Sequence, residues 1–401
     1  MLFPLRTPRG ATAGTEAVAE PAGGWAPADP MPGTGFWAQP ADVAVLLDTG
    51  SVLLAGGEDG RRNALNTASL FNPVDKTWAP TGALQTSRRL HTMTKLAGGS
   101  VLVTGGVTGP LGSPVRGLAS AELYEPGAKT WSPVPDMHEA RFSHSATLLP
   151  NGHVLVAGGC AERSSDTRRA LASAEIYNPI ERSWTKVKPA MTDGRFGHPA
   201  ILLKGTSKVL VVGGIVPAGP GQYAALGYCE IYDFDKDAWT PTGSLATPRK
   251  GHQATLLDNG SVLVTGGDIV GVLGQDWTIS PFSQNSTERY DPVGGRWSPD
   301  TPMTWGRSHH RAVRLGSGKV LVLGGTDDGT FDIGYRNAAV YDPRPKTWAD
   351  AGPMAVGRWA PAVLGLGGES VLVAGGIVRS GAAAPTIGED LLTDTAEVYT
   401  S

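Results

Sequence analysis

The sequence predicts an all-β protein, a seven-bladed β-propeller with four antiparallel strands in each blade, and three observations predict it. A short apolar strand that ends in two glycines recurs seven times, at intervals of about 50 residues. A tryptophan follows each of the first six copies, where a later strand of the same unit would begin. The composition, 55 glycines and 31 prolines in a chain of 401 residues that is 40% hydrophobic, suits short strands and tight turns around a packed core.

Each unit contains the sequence of one four-stranded blade, as the third copy illustrates. Residues 144–149 form the predicted strand a, a Pro-Asn-Gly turn follows, and residues 154–157 form strand b. Strand b is continuously aliphatic, as expected where both faces of a strand are buried. Residues 174–177 form strand c, and Trp184 begins strand d. The strand-b segments with their glycine pairs cover residues 52–57, 101–106, 154–159, 209–214, 262–267, 320–325 and 371–376.

The two ends of the chain are predicted to build one blade together. The seventh unit stops at strand c, residues 396–399, and lacks the tryptophan that begins strand d in the other units. That tryptophan is found near the N-terminus as Trp25, whose Trp-Ala-Pro context repeats at Trp78. We therefore predict that the N-terminal strand completes the last blade, which removes exposed sheet edges. The predicted domains are a flexible leader, residues 1–24, and a single propeller, residues 25–401.

Charge and hydropathy exclude several classes of partner. The formal net charge is −3, and the 34 basic and 37 acidic residues are mixed along the chain, so no nucleic-acid partner is expected. No run approaches about 18 consecutive apolar residues, so no membrane span is expected, and residues 1–24 lack the apolar stretch of a signal peptide. We expect a cytoplasmic monomer. The alternative is a secreted protein whose signal peptide is missing from this sequence.

The repeat period and the glycine-pair strand ends resemble Kelch repeats, from Trp25 to Ser401. The resemblance implies that the loops joining strands b and c share one face, around the mouth of the central channel, with the loops joining strand d to the next strand a. The repeat also resembles the propeller of galactose oxidase, in which a Tyr-His pair in the d–a segment binds copper. Here the residue before the histidine is never tyrosine but Leu90, Ser143, Gly197, Gly251 or His309. We therefore expect neither copper-radical chemistry nor a cofactor.

An Arg-x-x-His motif recurs in the d–a segments. Its copies are Arg88/His91, Arg141/His144, Arg195/His198, Arg249/His252 and Arg307/His310. The sixth segment keeps Arg358 but has Pro361, and the one after Trp25 has Gln39 and Asp42 instead. We interpret the motif as structural, because a buried guanidinium needs a carboxylate and strand c supplies Glu122, Glu175, Glu230, Glu288 and Glu397. The alternative is a ring that binds an anion or a metal, although we assign no metal ligands.

Departures from the repeat concentrate in the fifth and sixth units, where we place the candidate site at the channel mouth. The b–c loop at residues 268–287 is the longest, and a doubled histidine lies close to an additional tryptophan. The candidate catalytic residues are His309, Asp327 and Asp268, because a carboxylate near an imidazole could raise its pKa and suit it to acid/base work. The candidate ligand-binding residues are Arg307, Trp305, Trp277, Asp276, Tyr335, Cys160 and Glu58. For each of them the alternative is a side chain with no role in binding.

Two classes of function stay open. The first is a binding module in which the loops at the channel mouth hold a small molecule, a peptide or a protein without changing it. The second is a non-redox enzyme of isomerase, cyclase or lyase type that acts on a small molecule in the same place. The resemblance allows both, because sialic-acid mutarotases and plant specifier proteins are Kelch-like. The absence of a compact catalytic motif such as Gly-x-Ser-x-Gly or His-Glu-x-x-His favours binding.

Overall fold

The computed structural model describes residues 23–37, 43–109, 115–163, 169–219, 222–269, 283–327, 333–386 and 388–401. Within these residues the chain forms seven antiparallel sheets of four strands, which confirms the seven-bladed, all-β propeller. Three two-stranded sheets lie in the b–c loops. The helical structure of the described residues is a 3₁₀ turn at Gly381–Ala383, and no helix among them could span a membrane.

Each blade is a meander of four strands, and the strands are numbered along the chain from β1 (Gly24–Ala28). Blades one to three contain β2 (Ala44–Leu46), β3 (Val52–Ala55), β4 (Ala68–Asn72) and β5 (Thr77–Pro80); β6 (Thr92–Lys95), β7 (Val101–Thr104), β9 (Ala121–Glu125) and β10 (Thr130–Val134); and β11 (Ser145–Leu148), β12 (Val154–Ala157), β14 (Ala174–Asn178) and β15 (Ser183–Lys186). Blades four and five contain β16 (Ala200–Leu202), β17 (Lys208–Val212), β20 (Cys229–Asp233) and β21 (Ala238–Pro241); and β22 (Gln253–Leu256), β23 (Val262–Thr265), β24 (Thr287–Asp291) and β25 (Arg296–Asp300).

Blades six and seven complete the ring. They contain β26 (Arg311–Arg314), β27 (Val320–Leu323), β28 (Asn337–Asp342) and β29 (Thr347–Pro353); and β30 (Ala362–Gly367), β31 (Ser370–Ala374), β34 (Ala396–Thr400) and β1. The short strands of the b–c loops are β8 (Val115–Arg116), β13 (Glu162–Arg163), β18 (Ile215–Gly219), β19 (Gln222–Ala225), β32 (Ile377–Arg379) and β33 (Leu391–Leu392). Of these, β8 pairs with β13 and so joins the loops of blades two and three.

Strand b is buried throughout because neighbouring blades pack against both of its faces. In β12 all four residues are buried. Val154 and Val156 pack with residues of blade two, whereas Leu155 and Ala157 pack with residues of blade four. The hydrophobic core is therefore a series of apolar layers between blades, as the continuously aliphatic strand-b segments predicted.

The glycine pair at the end of strand b lies where the next d–a segment passes closely. Gly158 and Gly159 have positive φ angles of 64° and 99°. A Cβ atom on Gly158 would lie 2.6 Å from the carbonyl oxygen of Arg195, which is closer than a Cβ can approach. Only glycine combines that backbone conformation with that clearance, which explains the repeated pair.

The recurring tryptophan of strand d packs against an aromatic residue of strand c in the same blade. Tyr177 and Trp184 lie opposite each other in β14 and β15, with their ring centroids 5.0 Å apart. Corresponding pairs are Phe71–Trp78, Tyr124–Trp131, Tyr232–Trp239, Tyr290–Trp297, Tyr341–Trp348 and Tyr399–Trp25. Every blade therefore has the same aromatic pair on its outer strands.

The N-terminal strand closes the ring, as predicted. β1 pairs with β34 in blade seven, and Trp25 lies opposite Tyr399 with a centroid separation of 5.2 Å. The indole nitrogen of Trp25 donates to the carbonyl oxygens of Ala351 and Gly352 in blade six, both at 3.1 Å. The strand begins at Gly24, one residue before the boundary expected from the sequence.

Candidate functional site

The repeated arginine of the d–a segments is buried in six blades, and in five of them it pairs with a strand-c glutamate. Arg195 donates from Nη2 to Oε1 of Glu230 at 2.8 Å, and both side chains are shielded from solvent. Its Nη1 donates to the carbonyl oxygens of Gly213 and Tyr228. The other pairs are Arg88–Glu122, Arg141–Glu175, Arg249–Glu288 and Arg358–Glu397. These contacts confirm the interpretation of the arginines as structural.

The same glutamates also hold the backbone of the d–a segment. Glu122 accepts the N–H of Gln85 at 2.8 Å through Oε2 and the N–H of Thr86 at 3.1 Å through Oε1. Oε1 also accepts a hydrogen bond from Nη2 of Arg88 at 2.8 Å. Three N–H donors therefore satisfy one buried carboxylate, and such satisfaction offsets its loss of hydration.

In blade three the pairing favours the ionised form of the glutamate. In Glu175, burial acts to raise the pKa, but hydrogen bonds from His138 and the guanidinium of Arg141 outweigh burial. The pKa of Glu175 therefore lies below its ordinary value. A lowered pKa means that the folded protein favours the charged form of the pair.

The histidines of the motif are buried and neutral. His144 Nε2 lies 3.0 Å from the hydroxyl of Thr92 and 2.9 Å from that of Thr104. Burial lowers the pKa of three further members to about 3, namely His91, His198 and His252. Among the residues that the structure describes, no cluster of His, Cys, Asp or Glu is arranged to hold a metal ion. His144 precedes blade three and both hydroxyl groups belong to blade two, so this histidine links adjacent blades.

Blade six departs from this pattern because its arginine has no glutamate. Ala339 lies opposite Val322 in the register, the place that Glu122 takes opposite Val103 in blade two. Arg307, 2% exposed, donates to the carbonyl oxygens of Gly324 and Asn337 and to the side-chain oxygen of Asn337. In the described residues no carboxylate pairs with it. Burial without that partner lowers the pKa of Arg307 to about 10.

A cavity of about 330 Å³ occupies the space that the missing glutamate leaves. Its walls include Thr304, Trp305, Arg307, Ala339 and Trp348. The backbone N–H groups of Thr304 and Trp305 correspond to those of Gln85 and Thr86, and neither has an acceptor in the described part of the chain. A buried guanidinium and two backbone donors thus converge on one empty space, beside an indole that is 60% exposed.

Blade one shows what happens when both members of the pair are lost. Gly35 takes the position of the arginine. Its carbonyl oxygen accepts a hydrogen bond from the N–H of Gly376, just as the carbonyl oxygen of Arg88 accepts one from the N–H of Gly57. Ser69, opposite Leu54, takes the glutamate position. A cavity of about 260 Å³ lies there, and none of the described residues on its walls has a charged side chain. Gln39 and Asp42, which the sequence placed in this motif, lie outside the described residues.

The predicted site residues of blades five and six form a connected polar network. The Ser283 hydroxyl donates to Oδ1 of Asp268 at 2.7 Å and lies 2.9 Å from the carbonyl oxygen of Asp327. Burial and then the negative charge of Asp327 raise the pKa of Tyr335 to about 12. The Arg307 guanidinium lies over the Tyr335 ring, 5.7 Å from its centroid. The structure therefore brings these predicted residues together.

His309 is in a different state from the one expected. Its backbone has a φ of 49°, and its ring packs 5.5 Å from that of Trp359. Burial lowers the pKa of His309 to about 4, although the charge of Asp268 opposes the shift. The expected rise of this pKa is therefore wrong: desolvation of the imidazolium outweighs attraction by the carboxylate.

The remaining predicted residues lie apart from this network or outside the described residues. Glu58 is buried in an ion pair with Arg89 at 3.0 Å, near blades one and two. Cys160 is fully buried with Phe142 and Phe196 in an apolar cluster. Asp276 and Trp277 lie outside the described residues. The side chains of Glu58 and Cys160 therefore do not face solvent.

The neutral buried histidines predict a loss of stability in mild acid. The folded pKa of His309, about 4, lies below the ordinary value of 6.5, so the unfolded chain binds the proton first as the pH falls. The free energy of unfolding should therefore decrease below pH 6.5, by about 1.4 kcal/mol per pH unit for each such histidine. Asparagine tolerates the positive φ, so His309→Asn removes one such histidine without straining the backbone. The free energy of unfolding of this variant, measured with urea, should therefore decrease less steeply with falling pH, by the contribution of one histidine. Equal slopes in both proteins would contradict the assignment.

Sequence reasoning missed the blade-six cavity, although one signal was present. Five strand-c segments carry glutamate, whereas the sixth reads Asn337-Ala338-Ala339-Val340-Tyr341. The two backbone donors at Thr304 and Trp305 leave no trace in the sequence, because every residue other than proline has such a group.

The fold and the repeated ion pair define a repeat-built β-propeller, a scaffold consistent with the binding of proteins or ligands. A family model described as the Kelch motif matches residues 141–191. Rat Kelch-like protein 36 is 27% identical over 243 residues, which cover 58% of this chain and 36% of the relative. Adagio-like protein 1 of Oryza sativa subsp. japonica is 28% identical over 307 residues, which cover 68% of this chain and 45% of the relative. The chain is thus a seven-bladed propeller similar to Kelch-repeat proteins, with a match to the Kelch motif at residues 141–191.

Coverage and identity limit what these similarities imply. The chain spans less than half the length of both curated relatives. A copper-containing fungal alcohol oxidase of the AA5 family aligns with a TM-score of 0.69 at 20% identity, over 94% of this chain and 76% of that one. The structure of YjhT aligns with a TM-score of 0.60 at 15% identity, over 80% of this chain and 99% of that one. At these identities the likeness concerns the fold.

Proposed function

We propose that this protein is a binding propeller. It holds a small-molecule ligand at blades five and six, on the face formed by the b–c loops and the d–a segments. The observation that carries the proposal is Arg307, a buried cation without the glutamate that accompanies its five counterparts. An unpaired buried charge costs stability, and an anionic ligand would supply the partner that the described residues do not. The exposed Trp305 and the adjacent cavity provide the apolar wall and the space that ligand sites combine with a few polar groups.

Binding is favoured over catalysis by the state of the candidate acid/base residue. With a pKa lowered to about 4, His309 is neutral at physiological pH and a weak base. Its ring Nδ1 has no hydrogen-bond partner in the described residues, so no carboxylate orients it there. The polar network of Asp268, Ser283 and Asp327 is held by its own hydrogen bonds. We therefore propose no reaction at this face.

Filling each of the two cavities in turn tests the location. Ala339→Phe places a ring in the blade-six cavity, and Ser69→Phe does the same at the equivalent position of blade one. In a fragment screen by ligand-observed NMR, we expect hits with the unmodified protein that Ala339→Phe abolishes and Ser69→Phe retains. Circular dichroism verifies that both variants are folded. Hits that survive Ala339→Phe and disappear with Ser69→Phe would move the site to blade one.

A further inference from the structure

We infer that the ligand of the blade-six cavity is a small carboxylic acid whose carboxylate takes the place that a glutamate side chain holds in five other blades. The inference rests on the proposed function and adds the chemical class of the ligand. It depends on the five buried glutamates, which serve as internal templates, and on the donors that the sixth position leaves without an acceptor.

The templates define how the carboxylate would be held. In blade two, Oε2 of Glu122 accepts from the N–H of Gln85, and Oε1 accepts from the N–H of Thr86 and from Arg88 Nη2. Blade three repeats the arrangement, with His138, Glu139 and Arg141 as donors to Glu175. Two oxygens and three N–H donors form one recognition unit, which suits a carboxylate.

Blade six keeps all three donors. Thr304, Trp305 and Arg307 line the cavity and take the positions of Gln85, Thr86 and Arg88 in blade two. Ala339 supplies only a methyl group where the glutamate side chain would begin. Asn337 and Gly324 accept from the guanidinium at 2.8 to 3.2 Å and hold it in position. The site is therefore organised before a ligand arrives, which lowers the entropic cost of binding.

The rest of the cavity indicates the body of the acid. The space of about 330 Å³ is larger than the carboxymethyl group that separates alanine from glutamate, so a ligand could extend beyond its carboxylate. Met303, Trp305 and Trp348 line that space with apolar surface. Asp350 is exposed on the same wall, and its negative charge disfavours ligands with a second negative charge. These features favour a monocarboxylate with an apolar or aromatic body.

Phenylacetate is the probe, and phenylacetamide is its neutral counterpart of the same shape. In calorimetric titrations at constant ionic strength we expect the acid to bind about ten- to hundredfold more tightly than the amide, the usual contribution of a charge-assisted hydrogen bond. Inorganic phosphate should bind more weakly than phenylacetate. Equal affinity for acid and amide, or for phosphate and acid, would overturn the assignment to a carboxylate, as would the absence of phenylacetate binding.

Two substitutions at one position supply a readout that needs no ligand. Ala339→Glu restores the side chain found in the other blades, and Ala339→Gln has the same size without the charge. We expect the melting temperature of the Glu variant to exceed that of the Gln variant, and phenylacetate binding to be lost in the Glu variant. Equal melting temperatures, or binding that survives in Ala339→Glu, would overturn the inference. If acid and amide bind equally in blade six, the proposed binding function stands and only the ligand class fails.

Discussion

Removal of residues 1–30 is expected to destabilise the propeller by about 3 kcal/mol or more, the order of magnitude for loss of a packed tryptophan. The deletion takes away β1, and with it the ladder to β34 and the ring contact of Trp25 with Tyr399. It also removes the two hydrogen bonds from the Trp25 indole to blade six, which join the last two blades. The exposed edge of β34 could then pair with another chain, so aggregation should accompany the lower melting temperature.

A shorter deletion provides the control. Removal of residues 1–22 keeps β1, and this variant should melt close to the full chain. Calorimetry gives the melting temperatures, and light scattering after size-exclusion chromatography reports aggregation. The role assigned to β1 would be wrong if the chain without residues 1–30 melted at the temperature of the full chain.

Substitution of a paired buried arginine should be about as destabilising. Arg195→Ala leaves Glu230 buried without its cation, and breaking a buried pair in this way costs about 3–5 kcal/mol. Glu230 retains the backbone N–H and the hydroxyl of Thr192, which do not replace a positive charge. Urea unfolding measures the loss, and the folded fraction should still bind phenylacetate, because blade six is intact.

Arg307→Ala is the matched comparison at the unpaired position. Because no buried carboxylate pairs with Arg307 in the described residues, its removal leaves no uncompensated charge, and the cost in unfolding free energy should be clearly smaller than for Arg195→Ala. The same variant should lose the preference for phenylacetate over phenylacetamide. Equal destabilisation by the two substitutions would mean that Arg307 has a carboxylate partner within the protein.

The features predicted from the sequence are those whose physical cause is local and repeated. An aliphatic strand b is required wherever two blades pack on it, and a glycine pair is required wherever the next segment passes within van der Waals distance. The closure by Trp25 could be predicted because the tryptophan of strand d recurs in six units and the seventh unit lacks it. The recurrence of arginine with glutamate likewise predicted the buried pairs.

The candidate site was predicted only in part. Arg307 and Trp305 were chosen as departures from the repeat, and both line the blade-six cavity. The state of His309 could not be predicted, because its pKa depends on how much water the surrounding residues exclude. The burial of Glu58 and Cys160 depends in the same way on what packs above them.

The sequence by itself determined the number of blades, the order of strands in each blade and the way the ring closes, because these follow from side-chain patterns that repeat along the chain. Only the tertiary structure decided that Thr304, Trp305 and Arg307 face an empty space beside Ala339. Two of the three donors are backbone N–H groups, which every residue other than proline possesses. The space itself exists because Ala339 stands where five other blades have glutamate. Their convergence depends on the register of β28 and on the path of the preceding d–a segment. Neither can be predicted from the identity of a single residue.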